Sequence, residues 1–218
     1  MNKINLLIAT TNEGKVREIK KLLRGLGLHL ESLKSYPHFG KYQETGRTFA
    51  ENSEGKSLYY SQRYPGLVLA EDSGLEVEAL GGKPGVYSAR FSGVKANDKK
   101  NINKLLNLMT KVPVEKRKAR FVCVATLTKG GKVIKSYRGT VSGMISLSPE
   151  GDNGFGYDPV FYYPPLKKTF ARLKPSEKNR VSHRARAFRK IREFLKHSLK
   201  HQANKKARPG KSSDLHKG

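Results

Sequence analysis

Ile4-Asn5-Leu6-Leu7-Ile8-Ala9-Thr10-Thr11-Asn12-Glu13-Gly14-Lys15-Val16 reads as a strand, a polar turn and the first turn of a helix. Ile4 to Ala9 is an apolar run of strand length, broken only by Asn5. Val16, Ile19, Leu22, Leu23 and Leu26 then recur at helical spacing, and Gly25 and Gly27 mark the stop. A strand feeding a helix through a short loop is the unit of α/β folds.

The alternation continues along the chain. Thr48-Phe49-Ala50-Glu51 has the capping-box pattern and predicts a second helix from about Thr48. Leu67 to Ala70 predicts a short strand that ends at Glu71-Asp72-Ser73-Gly74, and Gly81 to Gly85 predicts a loop. A third helix is expected from Asp98 to Met109. Ala119 to Leu127 and Lys132 to Arg138 flank Lys129-Gly130-Gly131, a hairpin signal, and a further strand is expected from Thr140 to Leu147. The last helix follows Pro175, with Val181, Ala185, Phe188, Ile191 and Leu195 as its apolar stripe. From about Lys200 the chain is rich in Lys, Ser, Gly and His, which predicts a disordered tail. The expected division is a folded domain over 1–199 and a basic tail over 200–218.

Composition bounds the possibilities. A chain of 218 residues can bury roughly 70% of its unfolded surface, so no disulfide or structural metal is needed to hold it. One cysteine, Cys123, excludes internal disulfides and fits the cytoplasm. No apolar run is long enough for a signal peptide or membrane span. The net charge is +26, and residues 166–218 hold 18 Lys and Arg against 3 Asp and Glu. Such a chain should meet polyanions: nucleotides, nucleic acid or an anionic surface.

Four polar constellations stand out. Thr10 to Lys15 joins a strand to a helix N-terminus, where free amides and an ammonium suit a phosphate. It is not a P-loop, because Val16 follows Lys15 where Ser or Thr belongs. Glu44, Glu51 and Lys56 cluster around the second helix start; Glu51 already has a use in the cap. Glu71 and Asp72 close an apolar strand, where adjacent carboxylates are costly unless a cation such as Mg²⁺ offsets them. Asn153 to Pro159 and Ser176 to Arg184 combine glycines, aromatic rings and cations suited to a flat, charged ligand. Each also has a plain reading, as a capped loop, a solvated face or a surface turn. His197 and His201 have a zinc-compatible spacing but no third ligand, and Cys123 reads as a packing residue within an apolar strand.

Taken together, residues 4–195 resemble the inosine/xanthosine triphosphate pyrophosphatase family. The matching stretches are Ala9 to Lys15, Glu44 to Asn52, Glu71 to Leu75, Leu80 to Arg90, Asn153 to Pro159 and Lys178 to Arg184. The resemblance implies an elongated α/β protein with a long mixed sheet and a cleft between two lobes, usually a homodimer. It implies Mg²⁺-dependent hydrolysis of inosine, deoxyinosine and xanthosine triphosphates to monophosphate and pyrophosphate. By position, Thr10, Thr11, Asn12, Glu13, Gly14 and Lys15 would hold phosphates, with Lys56. Asp72 would be the general base and a metal ligand, helped by Glu44 and Glu71. Ser73 would contact substrate. Phe155, Gly156, Tyr157 and Asp158 would line the base pocket. Lys178 would reach the substrate, and His183 with Arg184 would read the base. Thr11, Glu71, Ser53 and Gly55 depart from the commonest bacterial pattern, which affects geometry and rate more than the reaction class. The rival reading is a nucleic-acid-binding protein, favoured by the charge but lacking any recognition signature. A mixed outcome is weak, salt-sensitive nucleic-acid contact through the basic tail beside catalysis.

Overall fold

The computed structural model describes residues 4–206. Among them, five α-helices and seven strands follow in chain order: β1 (Ile4–Ile8), α1 (Glu13–Leu22), β2 (Leu28–Ser32), α2 (Phe49–Ser61), β3 (Leu67–Val77), α3 (Asp98–Leu108), β4 (Lys118–Lys129), β5 (Lys132–Ile145), β6 (Phe161–Tyr163), β7 (Lys168–Thr169), α4 (Pro175–Val181) and α5 (His183–Lys206). The strands form one open mixed sheet in the order β2-β1-β3-β4-β5-β6-β7. β1 pairs in parallel with β2 and β3, and every later pairing is antiparallel.

The expected α/β class and long mixed sheet are present. Asn12 caps α1 by accepting from Lys15 N, and Thr48 caps α2 by accepting from Glu51 N. The Glu51 carboxylate reaches one residue further back than a capping box requires, accepting from Arg47 N at 2.8 Å.

Three elements differ from the sequence reading. β3 does not end at Ala70: it runs on to Val77, so Glu71 and Asp72 lie in mid-strand and are buried rather than in a turn. β4 supplies the backbone partners that keep the strand going past the acids, with Asp72 opposite Val124. The two strands expected after Lys132 are one strand of 14 residues, because Gly139 continues the ladder opposite Cys123 instead of breaking it. The single helix expected after Pro175 is two, with Ser182 in extended conformation between α4 and α5. Two short strands after β5 and the edge strand β2 had too little pattern to be seen in the sequence. α5 continues to Lys206, past the expected start of the tail, and residues 207–218 lie outside the described residues.

The core divides along the sheet. Leu75, Val77, Phe121, Val141, Phe161 and Phe170 form one cluster with Ile102 and Leu105 of α3. At the other end, Leu6, Ile8, Leu69, Cys123 and Ala125 pack under Phe188 and Ile191 of α5. The opposite face there is covered by α2, through Tyr60 against Leu7, Val68 and Ala70. Cys123 is fully buried and free, as expected for a packing residue. Ser53, one of the departures from pattern, ties α2 to the sheet by a 2.9 Å hydrogen bond with Thr126 Oγ1.

Candidate active site

Strand pleating sorts the β3 side chains. Successive residues point to opposite faces. Glu71 therefore faces α1 and α5, and Asp72 faces α2. Asp72 Oδ2 accepts from Asn52 Nδ2 at 2.9 Å, and Oδ1 accepts from Ser73 N at 2.9 Å. No ammonium or guanidinium lies within ion-pair distance of Asp72 among the described residues. Burial raises its pKa, Lys15 and Lys56 act against this, and Glu44 adds to it; the net shift is upward.

Glu71 is held very differently. Lys15 Nζ lies 2.8 Å from Oε1 and Arg184 Nη2 lies 3.4 Å away. Cys123 donates its thiol hydrogen to Oε2 at 3.3 Å. Burial pushes the Glu71 pKa up, but Lys15 and Arg184 outweigh it and hold the carboxyl well below the usual range.

Two clefts flank this point. Thr10, Thr11, Lys41, Glu44, Lys56 and Arg90 line one. Lys56 and Glu44 form an ion pair there. Asn12, Lys15, Ser73, Phe155, Tyr157, Asp158, Lys178, His183 and Arg184 line the other, which Gly156 also borders. Lys15 and Lys56, one from each cleft, both bias Asp72.

The second cleft is tightly wired. Lys178 Nζ lies 2.6 Å from Asp158 Oδ2 and 2.8 Å from Glu18 Oε1. Arg184 Nη1 lies 2.5 Å from Glu18 Oε2, and Nη2 donates to Ser73 Oγ at 3.0 Å. The Phe155 ring lies beneath both cations, 4.8 Å from Lys178 Nζ and 5.4 Å from Arg184 Cζ. Its loop is fixed from two sides: Phe155 N donates to Asp158 Oδ2 at 2.9 Å, and Gly156 N donates to Asp98 Oδ2 at 2.7 Å. Tyr157 Oη donates to the Ser88 carbonyl at 2.9 Å. His183 stacks on Phe121 at 4.7 Å. Burial, then Arg184 and Lys178, push its pKa well down, which favours the neutral imidazole, and its buried Nδ1 has no partner among the described residues.

Most of the expected site residues thus converge. Glu13 does not: its side chain is exposed and pairs with Lys34 and Arg17. Gly14 lies against the base-side loop, where a Cβ would sit 2.7 Å from the Phe155 ring. Glu18, Asn52 and Asp98 were missed. Glu18 had a visible signal, one helical turn after Lys15 on the same face. Asn52 closes a matching stretch but showed no role of its own until the fold set it against Asp72, and Asp98 had no signal, since only the fold brings it to the cleft.

A strand-to-helix anion loop, a cation-lined cleft on each side of one carboxylate and an aromatic floor define an α/β protein built to hold a nucleotide by its phosphates and its base. The chain belongs to the Ham1 family, whose pattern it matches over residues 6–194. It is 46% identical over 192 residues to a dITP/XTP pyrophosphatase of Bacillus cereus, spanning 87% of this chain and 94% of that protein. It is 47% identical over 188 residues to a dITP/XTP pyrophosphatase of Geobacillus kaustophilus, spanning 86% and 92%. The Ham1 protein of Staphylococcus aureus superposes with a TM-score of 0.80 at 40% identity, covering 89% of this chain and 99% of that one. A HAM1 protein from Coxiella burnetii gives 0.81 at 35%, covering 88% and 98%.

Proposed function

We infer that this protein hydrolyses non-standard purine nucleoside triphosphates, those of inosine, deoxyinosine and xanthosine, to the monophosphate and pyrophosphate, and so cleanses the nucleotide pool. The observation that carries the reading is Asp72, a buried carboxylate with no ion-pair partner among the described residues, which feels the charge of Lys15 from the aromatic cleft and of Lys56 from the phosphate-type one. The names carried by the curated relatives agree with it.

The residues divide the work. The base would lie in the cleft floored by Phe155, with the triphosphate running past Lys15 toward Thr10, Thr11 and Lys56. Asp72 would take the proton of a water aimed in line at the α-phosphorus. Neutral His183 and the guanidinium of Arg184 would meet the base edge. Hypoxanthine and xanthine carry a 6-oxo acceptor, whereas adenine carries a 6-amino donor. A buried donor left unpaired opposite adenine costs about 1–3 kcal/mol, up to two powers of ten in selectivity.

Mg²⁺ fits one pair of carboxylates better than another. Asp72 has lone pairs to spare, and Glu44 lines the phosphate-side cleft with only Lys56 on its carboxylate. Glu71 is already saturated on the opposite face, so we assign metal binding to Asp72 and Glu44, with water and substrate oxygens completing the shell. When bound, the ion would neutralise the triphosphate and the leaving pyrophosphate. No group of three or more His, Cys, Asp or Glu suited to a metal exists among the described residues.

We also propose that residues 1–199 form one catalytic domain, that it works in the cytoplasm, and that it pairs as a homodimer. No helix among the described residues is long and apolar enough to cross a membrane. The direct test is pyrophosphate release from inosine, xanthosine, guanosine and adenosine triphosphates, with and without Mg²⁺. Metal-dependent release favouring the first two supports the reading; no release from any of them refutes it.

A further inference from the structure

The outer face of α5 takes no part in the clefts, and its chemistry is one-sided. Arg186, Arg189, Lys190, Lys196 and Lys200 are all exposed, and their spacing puts them on one stripe of the helix. The buried face opposite carries Ala185, Phe188, Ile191 and Leu195. Glu193 is the only acid on the stripe. From Arg186 to Lys200 the stripe runs about 21 Å at ~1.5 Å per residue.

Three of these cations are held in place by backbone carbonyls without being neutralised. Arg186 Nε donates to the Val181 carbonyl at 3.2 Å. Arg189 donates through Nε to Ala185 O at 3.3 Å and through Nη2 to Arg180 O at 3.1 Å. Lys190 Nζ donates to Arg138 O at 3.2 Å, which joins the stripe to exposed Arg138 and Lys135 on β5. None of the five forms an ion pair among the described residues, although Lys15, Lys56, Lys178 and Arg184 in the clefts all do. Exposed cations without ion-pair partners along a straight face attract a partner with closely spaced negative charge.

We propose that the outer face of α5 docks the phosphodiester backbone of a nucleic-acid duplex, without regard to sequence. A duplex carries one negative charge per roughly 1.7 Å of axis, so a 21 Å stripe can span about a dozen phosphates. An anionic membrane is a poorer fit. A helix that lies on lipid inserts apolar side chains beside its cations, and among the described residues α5 carries no large exposed apolar side chain; the nearest, Val133 and Ile134, are on β5 and only about two-fifths exposed. The stripe contains no base-reading pair of side chains on a loop or groove-entering tip, which is why the contact reads backbone and not sequence.

The test is fluorescence anisotropy of the full-length protein with labelled mixed-sequence DNA and RNA duplexes. If about five phosphates are engaged, affinity should fall on the order of 10²–10³-fold between about 50 and 200 mM salt. The variant Arg189→Glu, Lys190→Glu, Lys196→Glu should bind at least ~10-fold more weakly at the lower salt, with a shallower salt dependence. Its turnover of inosine triphosphate should not change, and its thermal midpoint should fall by only about 2–4 °C for the exposed backbone hydrogen bonds it loses. A second full-length variant, with Lys205, Lys206, Arg208, Lys211 and Lys217 changed to Gln, should keep most of the affinity. Either duplex suffices, and comparing them tells which is preferred. Undiminished binding by the Glu variant, loss of binding in the Gln variant alone, or binding only to vesicles containing phosphatidylglycerol would each overturn the proposal.

Discussion

Glu71 and Asp72 are neighbours in β3 yet serve opposite faces of the sheet: Glu71 is locked between Lys15 and Arg184, while Asp72 meets only Asn52 and a backbone amide. The two acids should therefore fail differently. Asp72→Asn should lower turnover of inosine triphosphate by about 10²-fold or more while leaving the thermal midpoint near wild type. Glu71→Gln should cost about 3–5 kcal/mol of stability, because it leaves half-buried Lys15 without its partner and buried Arg184 with Glu18 alone. Turnover and urea unfolding of both variants check this, and similar losses of stability in the two would contradict it.

Glu18 makes the second cleft sensitive to acid. Burial raises its pKa, but Arg184 and Lys178 outweigh this and bring it below 4.5, the ordinary value. A carboxyl lowered in the folded state contributes stability that is fully present above its unfolded pKa and fades as pH falls through the folded one. The stability gap between wild type and Glu18→Gln should thus be constant from neutral pH down to about 5 and shrink below it. Urea unfolding across that range is the measurement. A gap that widens on acidification would reverse the assigned sign.

Gly139 sets how closely α5 lies on the sheet. A Cβ there would sit 2.3 Å from the His183 carbonyl and 2.4 Å from Ala187 N, both backbone atoms that cannot turn aside. Gly139→Ala should push the start of α5 outward, costing about 1–3 kcal/mol. Because His183 and Arg184 ride on that turn, the variant should also lose discrimination between inosine and adenosine triphosphates. An unchanged ratio of kcat/KM would show that the turn had not moved.

Base reading can be tested on the residues themselves. Arg184→Ala should narrow the preference for inosine over adenosine triphosphate, by up to two powers of ten if a donor of about 1–3 kcal/mol is lost. The same variant should be less stable, since Glu18 and Glu71 lose a shared partner. His183→Phe keeps the ring stacked on Phe121 but removes its nitrogens, so it should narrow the preference with little loss of stability. Steady-state kinetics with both nucleotides decide between them.

Much of the architecture was legible because the periodicities were clean. Val16 to Leu23 shows a helical face, and the Lys129-Gly130-Gly131 turn sits between two alternating runs. The cation and aromatic positions around Phe155 and Lys178 were also legible as a cluster. What local pattern could not show was long-range. Glu71 and Asp72 look like a surface turn because two acids in mid-strand are unfavourable; only Lys15 and Arg184, distant in sequence, make the burial of Glu71 tolerable. Gly55 looks out of place in α2 until Tyr42 is seen packed over it, with its hydroxyl 2.1 Å from where a Cβ would stand. Ser182 breaks the last helix although the apolar stripe runs on through Ala185, so the stripe hid the break.

On the proposed mechanism Asp72 directs water to the α-phosphorus of a purine triphosphate. Hydrolysis of inosine triphosphate in ¹⁸O-labelled water tests it most directly. Mass spectrometry should find the label in inosine monophosphate, with unlabelled pyrophosphate as the other product. Label in pyrophosphate, or release of single phosphates, would place the attack elsewhere and contradict the account.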